Sequence, residues 1–444
     1  MDTLRAFLAI VAAENLECRQ FDIKNAFTEA ELQETIYLAP PKGVAVRLGH
    51  VLRARKSLYG LKQSARDWNL LAREFLLDIG FVQSLADPCL YTHAKRKIIL
   101  LVYVDDIPAA AKKTSDLDWF YSKLSTRFNA KDLGGISKIL GIRVTRNRKG
   151  RELFIDQEHY LRTVLDRFGF KEPPHKPRLI PLNGYDKIRP ASEQDVRIDE
   201  TEYQQSIGCV MYGMILTRPD IAFTIGRLSQ YLKGPAEHHG DGLKELFRYI
   251  GCTINQKIRY GPTKQSKLVV YARDLPDENL TVYSDADWAG DKSDRKSTSG
   301  CVAMLYGGPV SWASRKQKSV STSSTESEYI AMSLCAKQAV WLGQVIRDMG
   351  YPQYVGKDPT NVQIKGDNQG ALALVKNPHL HERSKHIDIQ YHHIRDLEER
   401  KKITVSYVPT TDMIADGMTK PLDRIAFQRF KELMGLTSSG SRGK

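Results

Sequence analysis

A multidomain protein of mixed α/β and α+β class is predicted by three features of this sequence. Its 444 residues, 41% of them hydrophobic, are enough for two or three ordinary cores. Segments of strand and helix character alternate as far as about residue 170, where "KEPPHKPRLIPLNGYDKIRPASEQD" breaks the pattern with proline, glycine and charge. A second alternation of strands and helices begins at Leu280.

Taken in order, "LRAFLAIVAA" (4–13) reads as a helix whose apolar pattern continues to Leu16, rather than as a signal peptide, since Asp2 precedes it. The run Ile98–Val104 is rich in β-branched residues and reads as a central strand, with Asp105 and Asp106 in the turn that follows. Two readings of that pair stand side by side. Aspartate is a good turn residue that bonds its own backbone. Carboxylates fixed beside a rigid strand are also hard-oxygen ligands for Mg²⁺, which phosphoryl-transfer enzymes use in pairs; that reading needs another carboxylate. Asp22, at the end of a short strand 83 residues before Asp105, is positioned to supply it.

After the break, "YQQSIGCVMYGMIL", "DIAFTIGRLSQYL" and "GDGLKELFRYI" carry apolar residues three or four apart and predict a small helical unit. From Leu280 the strands are "LTVYSD", "CVAMLY", "VSWASR", "NVQIKGD" and "ITVSYVP", with a long helix opened by the cap signal "STSST". A last helix ends near residue 433, and "SSGSRGK" is expected to be a disordered tail.

The formal net charge of +14 points to a polyanionic partner, of which nucleic acid is the commonest. Six scattered cysteines without C-x-x-C spacing suggest neither a zinc knuckle nor a disulfide framework, and fit a reducing compartment. No apolar run approaches the ~18 residues of a membrane span, so no membrane partner is expected. "HLHERSKHIDIQYHH" holds five of the eleven histidines, but Ile387, Tyr391, Ile394 and Leu397 form a helical stripe. His392 and His393 therefore flank a packed face, and no metal role is assigned to them.

The stretches "FDIKNAF" (21–27), "KSLYGLKQSARDWN" (56–69) and "YVDD" (103–106) follow one another in the order and spacing of the reverse transcriptase of copia-type LTR retrotransposons, which this sequence resembles. The second half continues the resemblance. "VYSDADWAGDKSDRKSTSG", "SSTESEYIAM", "IKGDNQGALAL" and "VPTTDMIADGMTKPL" are similar to the ribonuclease H domain that follows the polymerase in the same Pol polyproteins.

The resemblance implies a polymerase palm with partial fingers over residues 1–170, a linker over 171–200, a helical thumb or connection unit over 201–265, a ribonuclease H-like mixed α/β domain over 278–434 and a disordered tail over 435–444. It makes Asp22 and Asp105 metal ligands of the polymerase site and Asp106 their supporting carboxylate. Phe27 is the ring that excludes a ribose 2′-OH, with core packing as the other reading, and Gln63 lies beside the incoming nucleotide. In the second half it selects Asp285 at the end of the first strand, Glu328 on the long helix, Asp367 at the end of the fourth strand and Asp416 at the start of the last helix. Asp287 and Glu326 are the rivals of Asp285 and Glu328, and periodicity does not separate them; only the family pattern does, and Glu326 is assigned to the helix surface. Two Mg²⁺ or Mn²⁺ ions per active site are implied, since four converging acids repel unless cations neutralise them.

The implied partners are template-primer nucleic acid, RNA/DNA hybrid and, for a competent polymerase, dNTPs. The implied location is intracellular, in a cytoplasmic particle or the nucleus. Three departures from the family are visible. Only 21 residues precede Asp22, where the family places its basic fingers upstream; "IPAAA" after the aspartate pair carries Pro108, which removes a ladder amide; and "FTEAEL" lacks the usual glycine turn. Impaired polymerisation by this chain alone and a better preserved, metal-dependent hydrolysis of RNA in hybrids are therefore expected, with a catalytically inactive nucleic-acid-binding relic as the alternative.

Overall fold

A computed structural model describes residues 1–47, 49–170, 177–262, 278–356, 358–376 and 388–438. Contacts divide the chain into two compact units: Asn15–Ile136 with Asp348–Gly350, and Met1–Glu14 with Ser137–Arg347 and the chain from Tyr351 onward.

Helix α1 (Asp2–Ala13) is apolar on nearly every side and is buried on nearly every side, as its sequence requires. Its one buried cation, Arg5, is satisfied by backbone acceptors, donating to the carbonyls of Val310 at 2.8 Å and Ile215 at 2.6 Å while lying over the Trp312 ring. Helix α1 belongs to the second, larger unit, whereas the sequence reading grouped it with the residues that follow it.

The smaller unit opens with β1 (Glu17–Ile23), followed by the short pair β2 (Tyr37–Leu38) and β3 (Leu52–Arg53) and by α2 (Ser64–Asp78). Then come β4 (Val82–Gln83), β5 (Leu90–His93), β6 (Ile98–Leu101), β7 (Asp106–Ala111), α3 (Thr114–Arg127) and β8 (Ala130–Gly135). The sheet order is β4-β5-β6-β7-β1-β8. Phe21, Trp68, Phe81, Phe120 and Phe128 form the centre of its core.

The predicted strand Ile98–Val104 is shorter in the structure, and the aspartate pair is divided by a two-residue hairpin turn. Tyr103 and Asp106 exchange both backbone hydrogen bonds, so Val104 and Asp105 form the turn and Asp106 begins β7. Pro108 sits inside a central strand. Alternation of ladder bonds from the Tyr103 to Asp106 pair turns its missing amide toward β6, where only Ile99 to Ala110 and Leu100 to Ala109 pair. Its pairing with Gln20 on β1 persists.

In the larger unit, β9 (Lys138–Ile139), β10 (Ile142–Asn147) and β11 (Glu152–Asp156) lead into helices α4 (Glu158–Arg167), α5 (Glu200–Leu216), α6 (Ala222–Leu228) and α7 (Glu237–Cys252), and then β12 (Gln256–Tyr260). The helical unit expected over 201–265 is thus helical only to Cys252, because alternating burial of Gln256, Ile258 and Tyr260 makes the next segment a strand.

The remaining elements are β13 (Thr281–Ala286), β14 (Thr298–Leu305), β15 (Gly308–Lys316), α8 (Ser324–Asp348), β16 (Val362–Gly366), α9 (Gln369–Lys376), α10 (Asp388–Glu399), β17 (Ile403–Tyr407), α11 (Arg424–Leu433) and β18 (Leu436–Ser438). Two five-stranded sheets result, β18-β12-β11-β10-β9 and β15-β14-β13-β16-β17. In the second, β13, β14 and β15 are antiparallel, while β13, β16 and β17 run parallel.

Part of the expected tail, Leu436–Ser438, pairs with β12, and residues 439–444 lie outside the described residues. So do His379, His381, His386 and Ile387 of the histidine cluster. Among the described residues no helix is long and apolar enough to cross a membrane.

Candidate active sites

The parallel ladder of β13 and β16 builds the first site. It pairs Thr281 with Gln363 and Tyr283 with Lys365, and two residues further the same register sets Asp285 beside Asp367. The side chains of Asp285 and Asp367 emerge at one sheet end, where the first turns of α8 add Glu328. Asp416 comes from a short 3₁₀ helix, Ile414–Met418, and not from the start of the last helix as expected. That segment lies close against β14. A Cβ at Gly300 would stand 2.8 Å from the Ala415 carbonyl oxygen, so only glycine allows this approach.

Asp285, Asp367 and Asp416 each present a carboxylate oxygen, and the three atoms lie within 4.8 Å of one another. Among the described residues this is the one such group of metal-ligating side chains. A metal ion fits the donor set, which is all hard oxygen.

Each acid is held by a neighbour. Thr419 Oγ1 donates to Asp285, and Thr410 Oγ1 donates to Asp367 at 2.8 Å. The Ala286 N–H donates to Glu328. Lys420 Nζ lies 2.8 Å from Asp416 Oδ1. Thr419 and Lys420 were missed at the level of sequence. The only signal was their position, three and four residues beyond Asp416, one turn along a helical backbone.

Electrostatics follow from crowding. Burial, and then the charge of Asp416, push the Asp285 carboxyl up to about 7. Burial, and then Asp285 and Asp367, push Glu328 up to about 9. Burial also raises Asp416, against the pull of Lys420.

The rivals separate. Asp287 lies beyond the end of β13 and accepts a hydrogen bond from the Thr298 N–H, fixing the loop. Glu326 is 6% exposed and not on the helix surface as expected. Its Oε2 accepts from the Thr322 N–H and Oγ1, both at 2.7 Å, so it closes the N-terminus of α8.

An expected result arises here. Carboxyl groups raised in the folded state favour folding while protonated. That contribution is complete below their ordinary range near pH 4 and is lost as pH rises through about 7 for Asp285 and about 9 for Glu328. In chelator, the thermal midpoint falls between pH 5 and pH 9, and added Mn²⁺ flattens the fall. Scanning calorimetry across that range checks it; a midpoint that rises with pH in chelator would contradict the assignment.

The second site lies in the smaller unit. Asp22 on β1 and Asp106 on β7 are cross-strand partners, and Asp105 rides the hairpin turn. Val104 takes φ +56° in that turn, a strained conformation for a β-branched residue. The Trp68 indole N–H donates to its carbonyl at 2.7 Å, tying α2 to the turn. Gln20 Nε2 donates to Asp106 Oδ1 at 2.6 Å. Burial raises the Asp106 carboxyl, Gln20 opposes this, and Asp105 and Asp22 add to it. Gln20 was legible in principle, since it shares a strand face with Asp22. The three aspartates do not gather ligand atoms as closely as the first site, because Asp106 is turned to Gln20 while Asp105 rides the turn.

Phe27 is half-buried against Tyr59, ring centroids 4.6 Å apart. Desolvation, and then the charges of Asp105 and Asp22, raise the Tyr59 hydroxyl above its usual value. Gln63 precedes α2 and donates to Glu34 at 3.3 Å.

Paired aspartates on a strained hairpin and a carboxylate cluster at the end of a mixed sheet are features that nucleic-acid enzymes build. Residues 1–182 match the family model described as reverse transcriptase (RNA-dependent DNA polymerase). The chain is 35% identical over 451 residues to the retrovirus-related Pol polyprotein from transposon TNT 1-94 of Nicotiana tabacum, covering 99% of this chain and 32% of that protein. It is 36% identical over 439 residues to the Pol polyprotein from transposon RE1 of Arabidopsis thaliana, covering 98% of this chain and 28% of that one. The chain thus spans about a third of the length of these two Pol polyproteins. A foamy viral protease-reverse transcriptase in complex with dsDNA aligns at TM-score 0.48 and 14% identity, covering 89% of this chain and 68% of that one. The chain belongs to the copia-type Pol polyprotein family and carries its reverse transcriptase region.

Proposed function

We propose that the chain hydrolyses the RNA strand of RNA/DNA hybrids at Asp285, Glu328, Asp367 and Asp416. The observation that carries this reading is the meeting of three carboxylate oxygens within 4.8 Å at one sheet end. The four acids would hold two Mg²⁺ or Mn²⁺ ions. When bound, such ions supply Lewis acidity toward the phosphate and make water a better nucleophile near neutral pH. The chain's own part is positioning: Thr419, Thr410 and the Ala286 N–H fix three of the acids from outside the cluster.

At the second site, Asp22 and Asp105 are the proposed polymerase metal ligands, with Asp106 supporting them through Gln20. Phe27 and Gln63 would face an incoming dNTP on a template-primer. The proposed location is intracellular, in a cytoplasmic particle or the nucleus.

The test is purified protein on an RNA/DNA hybrid with labelled RNA, with and without Mg²⁺ or Mn²⁺. Release of RNA fragments only with metal is expected; intact RNA under both metals would reject the reading. Hybrid binding should also fall steeply with salt, since neutralised phosphates release counterions, and the hybrid should be preferred over duplex DNA through its 2′-hydroxyls. Fluorescence anisotropy checks both; an affinity flat between ~50 and ~200 mM salt would contradict the electrostatic mode.

A further inference from the structure

Four acids converge on the first site, and among the described residues Lys420 is the cation paired with one of them. Lys420 follows Thr419 directly, and the two neighbours hold different carboxylates: Thr419 takes Asp285, while Lys420 Nζ reaches Asp416 Oδ1 at 2.8 Å. Both sit on the turn whose amides at Thr419 and Lys420 return to the Asp416 carbonyl, so the ammonium is delivered to the cluster by local backbone geometry.

We propose that Lys420 is a built-in cation of the carboxylate site that competes with divalent metal for Asp416 and thereby sets the metal's affinity. The inference rests on the reading of this site as a metal-dependent nuclease centre.

The argument is one of charge and space. Once all four acids are ionised, as metal ligation requires, they carry a charge of −4 and Lys420 leaves −3, and an ammonium paired at 2.8 Å with a ligand oxygen must leave that oxygen before a metal ion takes it. There is room for it to leave. Lys420 also lines a cavity of about 570 Å³, together with Pro421, Leu422, Asp287, Asp291 and Tyr185. On that wall Asp291 is already paired with Arg227 at 2.6 Å and Lys316 at 2.5 Å. Asp287 has one oxygen on the Thr298 N–H and is within electrostatic reach of Lys420. It is the acid on which a displaced Lys420 would settle.

The device has a use. A carboxylate cluster without a resident cation would hold metal tightly even with no substrate present. With Lys420 in competition, full occupancy requires a higher metal concentration or the added binding energy of the nucleic acid.

The test measures metal binding directly, by the electron paramagnetic resonance signal of free Mn²⁺ titrated into the full chain. The part of the binding lost in Asp367→Asn defines this site. Lys420→Met should bind Mn²⁺ there on the order of tenfold more tightly, because one positive charge is removed a few ångströms away. Lys420→Gln should do the same, and Lys420→Arg should retain wild-type affinity. The Lys420 side chain is 42% exposed, so neither neutral variant leaves a buried cavity. Equal or weaker binding by Lys420→Met and Lys420→Gln would overturn the proposal and leave the nuclease reading standing. Absence of any Asp367-dependent Mn²⁺ binding in all variants would overturn both.

Discussion

Asp367→Asn should lower cleavage of the RNA strand by about 10²-fold or more, the scale on which a single group stabilising transition-state charge is felt. The substitution keeps the shape of the side chain and the hydrogen bond from Thr410, while removing one ligand charge from a cluster whose members repel. Because repulsion toward the phosphates falls with it, hybrid binding should be retained or strengthened. Single-turnover cleavage measured beside anisotropy separates the two quantities; a variant that loses binding in proportion to cleavage would show that Asp367 acts on the fold instead. Glu328→Gln should behave like Asp367→Asn. Glu326→Gln should leave cleavage near wild type and lower stability by ~1 kcal/mol, since Glu326 holds the N-terminus of α8 and not the reacting site. If cleavage were lost in Glu326→Gln and kept in Glu328→Gln, the assignment on this helix would be wrong by two residues.

The largest loss of stability is expected at Arg218. Its guanidinium and the Asp220 carboxylate are almost wholly buried, joined by two hydrogen bonds of 2.9 and 2.8 Å. Tyr249 donates to the same carboxylate at 2.6 Å, and Thr253 accepts from Arg218 at 2.7 Å. Burial works against the Asp220 charge, yet Arg218 outweighs it and holds the carboxyl below its usual range. Arg218→Ala strands that charge in the interior and should destabilise the larger unit by about 3–5 kcal/mol. The double variant Arg218→Met, Asp220→Leu should recover most of the loss, because it removes both charges and leaves apolar volume in their place. Urea unfolding followed by far-ultraviolet circular dichroism checks both; a double variant as unstable as the single one would show that the network contributes more than charge compensation.

Much of the architecture is written in the sequence because local patterns are strong there. The run before Asp105 reads as a strand, and "LTVYSD" and "CVAMLY" mark two strands that pair beside the first site. All four carboxylates of that site were named from motifs, and the register of β13 on β16 brings Asp285 and Asp367 together as those motifs imply.

What sequence left undecided depended on partners distant along the chain. Asp285 and Asp287 share a strand periodicity, and only the backbone amide of Thr298 shows that Asp287 belongs to a loop. Glu326 looks like a surface acid because a helix start is normally solvated, whereas here Thr322 folds back over it. Helix α1 precedes β1 by three residues and still joins the other unit, since its all-round apolar surface finds cover against β11, β12 and β15. Nothing in the sequence marked Arg218, which lies between two predicted helices, and Asp220, which opens the second, as partners, and only the closure of α7 over them makes them a buried pair. Lys420 was printed beside Asp416 from the outset. Its role appeared only when three other acids, from 53 to 135 residues earlier in the chain, met it in space, because a charge acquires its meaning from the field around it and that field is set by the tertiary fold.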